Sequence, residues 1–205
     1  MKTLIINQLY FLNCGPINFK VEATKIIGLS GKSGSGKSRL LRALADLDEH
    51  QGEIILDDIH QQNIDAHQWR KKVALLSAET QWWFDTVEEH FLLDDIQSII
   101  SLKKSLTDLG FSEDSLQWNV SRLSSGEKQR LGLLRLLQNQ PDVLLLDEPT
   151  ANLDKHNTKL FENFVLNYLR TRPACAVWVS HDLDQLQRNC QQQVLIKNGK
   201  LVNVN

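Results

Sequence analysis

Proline is scarce in this chain. The four prolines are Pro16, Pro141, Pro149 and Pro173, none lies between positions 17 and 140, and no Pro-rich linker divides the sequence. Cysteine is scarcer still. Cys14, Cys175 and Cys190 are odd in number and widely spaced, whereas a disulfide framework wants even counts and a zinc site wants C-x-x-C pairs. The six histidines show no H-x-x-x-H spacing, so no zinc is expected. Long apolar runs are missing: the longest, Ala174 to Val179, has six residues, against about 20 for a membrane-spanning helix. The N-terminus MKTLIINQLY carries no long apolar stretch and no small-residue cleavage site, so no signal peptide is expected. Excess charge is absent as well. A net charge of -2 excludes a binder that grips nucleic acid by neutralising many phosphates. These absences point to a cytoplasmic chain that is neither membrane-embedded nor secreted.

What is present suits a packed domain. With 205 residues, 41% of them hydrophobic and 23% charged, the expectation is a single domain, 1-205, with its own core. Short apolar runs read as strands: Lys25 to Leu29, Glu53 to Leu56, Val73 to Leu76, Val143 to Leu146, Ala176 to Val179 and Val194 to Ile196. Their successive apolar residues suit strands covered on both faces of a parallel sheet. Between them lie helical faces at Leu40/Leu41/Leu44, Leu131/Leu134/Leu137 and Leu160/Phe164/Val165/Tyr168. Strands alternating with helices define an α/β fold. The stretch from about Trp82 to Val120 reads as helical throughout, an inserted helical subdomain of approximately 82-122.

Three of the ten glycines crowd into Gly31-Lys32-Ser33-Gly34-Ser35-Gly36-Lys37-Ser38. This fits G-x-x-x-x-G-K-[ST] between a strand and a helix. The glycines let successive N–H groups form an anion nest, and the helix start aims its positive dipole end at phosphate. Lys37 reaches the β- and γ-phosphates and the Ser38 hydroxyl ligates Mg²⁺. A flexible Gly/Ser turn would explain the glycines but not Lys-Ser at this register. Val143 to Leu146 then ends in Asp147-Glu148-Pro149. Such a strand delivers both carboxylates to the sheet edge where α/β ligands bind. Asp147 suits the Mg²⁺ shell, and Glu148 suits accepting a proton from an attacking water or orienting it. A solvated Asp-Glu turn would be the plainer reading were the phosphate loop not upstream.

Leu123-Ser124-Ser125-Gly126-Glu127-Lys-Gln-Arg130 opens a further helix, with Ser124 and Glu127 spaced as a capping box. This segment resembles the signature motif of the ATP-binding cassette (ABC) ATPases. It is followed, as in that family, by Leu-Leu-Leu-Asp-Glu-Pro-Thr150, by Ala151-Asn-Leu-Asp154 like the D-loop and by Val179-Ser-His181-Asp like the switch histidine. The resemblance implies a P-loop NTPase with a mainly parallel sheet, an N-terminal antiparallel β part and a helical subdomain. It further implies a head-to-tail dimer, favoured here as a homodimer. In it ATP is sandwiched between one copy's phosphate loop and the other's Ser124, Ser125, Gly126 and Glu127. Glu148 becomes the catalytic glutamate, and His181 contacts the γ-phosphate.

Two departures stand out. Ser125 replaces the first of the signature's two usual glycines. The usual Q-loop glutamine, which contacts Mg²⁺, has no clear equivalent: Glu79 is nearest, with a one-residue gap, and Gln81 is the other candidate. The aromatic that stacks on adenine is Tyr10 or Phe11. Trp82, Trp83, Phe84 and Phe91 crowd just after the Q-loop, where the family's transporters receive a helix from the membrane subunit; they predict an exposed apolar patch. The 84 residues between Ser38 and Leu123 hold no heptad run, zinc cysteines or second cassette. The implied function is therefore the ATPase subunit of a transporter, peripheral at the inner face of the membrane and partnered by a separate permease. With only five residues after Lys200, no C-terminal regulatory domain is expected. A soluble ABC-type ATPase uncoupled from transport is the alternative. A P-loop small-molecule kinase would lack the signature, and a non-hydrolysing module would lack Glu148.

Overall fold

The computed structural model describes residues 2-93 and 95-204. Two sheets carry the chain. The first is antiparallel, ordered β2-β1-β4-β5 from β1 (Thr3–Phe11), β2 (Cys14–Glu22), β4 (Gln51–Leu56) and β5 (Ile59–His60). The second is ordered β10-β9-β3-β8-β7-β6, from β3 (Ile26–Ser30), β6 (Val73–Leu76), β7 (Val143–Asp147), β8 (Cys175–Val179), β9 (Gln192–Lys197) and β10 (Lys200–Asn203). Its strands run parallel from β9 through β6, and β10 alone is antiparallel.

Burial explains why the parallel strands were legible. Every residue of β3, β7 and β8 is buried, so each reads as an unbroken apolar run. β1 alternates instead, burying Leu4, Ile6, Leu9 and Phe11, and β2 is mostly exposed or half-buried. These two, with the short β5 and the edge strand β10, present no comparable apolar block.

Among the described residues six helices flank the sheets: α1 (Lys37–Leu44), α2 (Ala66–Lys72), α3 (Ile96–Asp108), α4 (Ser125–Leu137), α5 (Lys155–Thr171) and α6 (Leu183–Asn189). The stretch expected to be helical throughout is more irregular. Between positions 82 and 122 it holds α3 and three short 3-10 turns, at Glu88–His90, Glu113–Gln117 and Val120–Arg122, joined by extended and bent segments. Thr86 and Asn119 form an isolated β-bridge there. Polar side chains such as Asn119, which caps the last turn, compete with the backbone for hydrogen bonds and break the helix into pieces.

Two apolar cores lie on opposite faces of the parallel sheet. One joins β1 and α1 to Leu145, Val177 and Val179; the other joins α4 and α5 to Leu144, Leu146 and Trp178. The first core contains a helix-end repair. Leu44 closes α1, and its carbonyl accepts a hydrogen bond from the Trp69 indole N–H at 2.8 Å, satisfying a C-terminal acceptor that the helix itself cannot. In the second core the Trp178 indole N–H is buried with no partner. Both tryptophans are fully buried, so replacing either with Phe removes similar volume. Trp69→Phe additionally strands a buried carbonyl, whereas Trp178→Phe removes an unpaired donor. The expected result in urea unfolding is that Trp69→Phe costs about 1–2 kcal/mol more than Trp178→Phe; equal losses would contradict it.

Candidate functional site

The order β3-β8-β7-β6 decides where the chemistry gathers. Parallel neighbours end at the same sheet edge, the edge where α/β folds bind ligands. From it emerge the loop 31-38 after β3, Ser180-His181 after β8, Asp147 as the last residue of β7 with Glu148 beyond it, and Ser77 to Gln81 after β6.

Gly31, Lys32, Ser33, Gly34, Ser35 and Gly36 turn from β3 into α1. Gly36 sits at the helix N-cap with φ 103°, where a side chain would be strained. A Cβ there would also press on Cys14 Sγ at 3.2 Å and the Phe11 ring at 3.4 Å. Lys37 is buried and folds back over the loop, its Nζ donating to the carbonyls of Gly31 at 2.9 Å and Lys32 at 3.3 Å. Ser38 is exposed at the mouth.

Asp147 is only 7% exposed. Burial pushes its carboxyl above the usual range, while neighbouring Ser38 and Lys37 pull it back. Its Oδ1 is sealed from water without a hydrogen-bond partner. A buried carboxylate oxygen with nothing bound, beside a hydroxyl and an ammonium, fits a cation's ligand. Among the described residues no group of three or more His, Cys, Asp or Glu could hold a metal alone. The pair Ser38/Asp147 therefore suits Mg²⁺, which completes its shell with phosphate oxygens and waters.

Glu148 adopts φ 47°, a left-handed conformation that costs a non-glycine residue about 1–2 kcal/mol. Its amide donates to the Val179 carbonyl at 3.1 Å. His181 Nε2 lies 3.2 Å from Glu148 Oε1, and the His181 amide donates to Oε2 at 3.3 Å. The loops that carry Glu148 and His181 are thus in contact.

The signature turn is built as its spacing predicts. Ser124 Oγ accepts the Glu127 amide at 3.2 Å, and the Glu127 carboxylate accepts the Ser124 amide at 2.8 Å. Ser124 and Ser125 are exposed, while Gly126 is buried under the D-loop, where a Cβ would meet the Asn152 carbonyl at 2.9 Å. Asp154 caps α5, accepting the Asn157 amide at 2.8 Å. No hydrogen bond or ion pair among the described residues links this turn to the phosphate loop.

The remaining expected residues divide. Tyr10 is 42% exposed, with its ring edge against Gly15, while Phe11 is buried against Gly36; only Tyr10 keeps a free face. Glu79 and Gln81 are exposed and line a cleft of about 500 Å³ between β6 and α4, and no hydrogen bond joins either to Ser38 or Asp147. Of the four aromatics, Trp83 is 63% and Phe84 48% exposed. Trp82 is half-buried, and Phe91, expected in the exposed patch, is instead 7% exposed and belongs to the second core. One turn of sequence past the loop, its side chain faces inward beside Val87.

Residues that the motifs did not reveal hold this loop. His90 is buried, and its Nε2 accepts the amides of Trp83 and Phe84, both at 3.1 Å. Its Nδ1 therefore carries the hydrogen and donates to the Thr86 carbonyl at 2.9 Å. Arg135 on α4 stacks over Trp82 at 4.5 Å and Trp83 at 4.6 Å. Thr80 donates to the Lys128 carbonyl at 3.3 Å, and Gln129 to the Ser77 carbonyl at 3.0 Å, tying the post-β6 loop to the signature helix. The available signal was a polar residue at a buried helix register, as with Gln129.

The fold and the loop 31-38 define a P-loop nucleoside triphosphatase. Residues 14–151 match the family model described as ABC transporter, and the chain belongs to that family. It is 36% identical to Protein STAR1 of Oryza sativa subsp. japonica over 92% of its length, covering 56% of that relative. It is 31% identical to ABC transporter I family member 17 of Arabidopsis thaliana, covering 92% of this chain and 74% of the relative. The chain spans little more than half the length of STAR1. Its fold also matches a bacterial Atm1-family ABC exporter solved with ATP bound, with a TM-score of 0.83 at 19% identity over 98% of this chain and 38% of that one.

Burial, then the adjacent Arg135, hold His90 below the ordinary histidine range. The unfolded chain thus takes up the proton first, and stability is full above about pH 6.5 and falls as pH drops. Protonation would also set an N–H against two amide donors. The expected loss between pH 7.5 and 5.5, read by thermal unfolding, is larger in wild type than in His90→Gln; parallel curves would contradict it.

Proposed function

We propose that this chain is the ATP-hydrolysing subunit that powers a membrane transporter, working as a head-to-tail dimer. One observation carries the dimer: the phosphate loop and the signature turn are both formed, yet among the described residues no hydrogen bond or ion pair joins them. Each is half of a site that a second copy completes. Gly31 to Ser38 cradle the phosphates, and Lys37 leaves its two carbonyls to reach the β- and γ-oxygens. Ser38 and Asp147 would hold Mg²⁺, which would supply charge neutralisation at the phosphates. Tyr10 stacks on adenine. Ser124, Ser125, Gly126 and Glu127 of the other copy close on the γ-phosphate, with Asp154 at the seam.

Glu148 orients the attacking water and accepts its proton as the oxygen bonds to the γ-phosphorus. The bridging P–O bond breaks and ADP leaves with the electron pair. His181, in contact with Glu148, donates to the γ-phosphate. Glu79 serves the Q-loop role. We take 82-122 as the helical subdomain, with Trp83 and Phe84, backed by Trp82, receiving a separate transmembrane permease. No described helix is long and apolar enough to cross a membrane; a station peripheral at the inner face of the membrane goes with the separate permease of this reading.

Glu148→Gln is expected to retain ATP binding, lose at least about a hundredfold in turnover and double its mass on size exclusion with ATP. A monomer at saturating ATP would overturn the dimer. Glu79→Ala is expected to lower turnover about tenfold while Gln81→Ala changes it less than about twofold; the reverse order would move the role to Gln81.

A further inference from the structure

Gln185 lies on α6, four residues after His181, and has no role in the reading above. It is 1% exposed and every polar atom of its amide is used. Nε2 donates to Thr150 Oγ1 at 2.9 Å and to Glu162 Oε1 at 2.7 Å. Oε1 faces the Thr150 hydroxyl at 3.1 Å. Its backbone amide is capped by Asp182 at 3.0 Å. Glu162, on α5 and 5% exposed, is in turn held by the Arg188 guanidinium through contacts of 3.1 and 2.5 Å.

The partners are what matter. Thr150 stands two residues beyond Glu148, in the tight turn where the Ala151 amide donates to the Glu148 carbonyl at 3.2 Å and the Leu153 amide to the Thr150 carbonyl at 3.1 Å. That turn keeps Glu148 in its strained φ 47° conformation, and strain of this kind persists only where surrounding contacts enforce it. α6 begins two residues after His181, with Asp182 as its N-cap. A single amide thus clamps the loop that carries Glu148 to the helix that follows His181, with Glu162 fixing the clamp to α5. The other links between the two loops, from the Glu148 amide to the Val179 carbonyl and from His181 to the Glu148 carboxylate, lie at the sheet edge and do not reach α6.

We propose that Gln185 is a positioning residue for ATP hydrolysis: by bonding Thr150 and Glu162 together it sets the placement of Glu148 against His181. This rests on the roles given to Glu148 and His181. Gln185 touches neither the phosphate loop nor Ser38 or Asp147, so its loss should act on turnover and not on nucleotide affinity. A misplaced general base costs rate even when substrate stays bound.

The test measures turnover per bound nucleotide, with the dissociation constant for ATP, in the full chain. Gln185→Leu is expected to lower kcat about tenfold while changing ATP affinity less than about twofold. Thr150→Val should fall similarly, and Thr150→Ser, which keeps the hydroxyl, should retain wild-type turnover. The Thr150→Val/Gln185→Leu double variant should be no slower than the slower single one, because both remove the same bond. Wild-type kcat in Gln185→Leu, a matching loss of ATP affinity, or losses that multiply in the double variant would overturn the proposal. Should Gln185→Leu fail to fold, equal turnover in Thr150→Ser and Thr150→Val overturns it instead. Glu148→Gln separates the two layers: if it keeps turnover, the reading of Glu148 fails; if it is inactive while Gln185→Leu is normal, only the present inference fails.

Discussion

Parallel pairing of β3, β8, β7 and β6 is the constraint from which the site follows. Parallel strands must end at one edge, so residues more than a hundred positions apart meet without any bond designed to join them. Ser38 reaches Asp147 because β3 and β7 flank β8, and His181 reaches Glu148 because β8 and β7 are neighbours. The buried strands supply the rigidity, and the loops supply the chemistry. Where the edge needs finer placement, polar groups provide it, and these are the costly ones: a left-handed Glu148, a sealed Asp147 oxygen and a buried Glu162.

The signature helix has a second function in the packing. Through Gln129 and Thr80 it grips the loop after β6, and through Arg135 it supports Trp82 and Trp83. The exposed aromatics and the signature turn are consequently attached to the same rigid rod. The contacts at its two ends are two hydrogen bonds, at Lys128 and Gln129, and the Arg135 guanidinium over two indole rings. His90 stiffens the aromatic end by giving both of its ring nitrogens to backbone groups.

Much of this was legible in the residues, for physical reasons. Strands buried on both faces cannot tolerate polar residues, so β3, β6, β7 and β8 declared themselves. A phosphate nest needs Gly31, Gly34 and Gly36 in register with Lys37, and a capping box needs Ser124 and Glu127 three apart. What stayed hidden depends on contacts between distant segments. Phe91 is apolar whether it faces outward or inward, and nothing local tells it apart from Trp83. The turns at Glu88, Glu113 and Val120 compete closely with helix, so their apolar spacing misled. Gln185 and Gln129 are ordinary helix formers until Thr150 and Ser77 are brought beside them by the fold.

The lysine of the phosphate loop has a wider consequence. Lys37 Nζ is bonded to the Gly31 and Lys32 carbonyls, so the loop is a closed ring, stapled by its own side chain. An arriving anion does not enter a vacant cradle; it takes the place of two carbonyl dipoles. Under the proposed function, release of product is the reverse exchange, in which the ammonium returns to the carbonyls of Gly31 and Lys32, so that a buried charge keeps hydrogen-bond partners at both ends of the cycle.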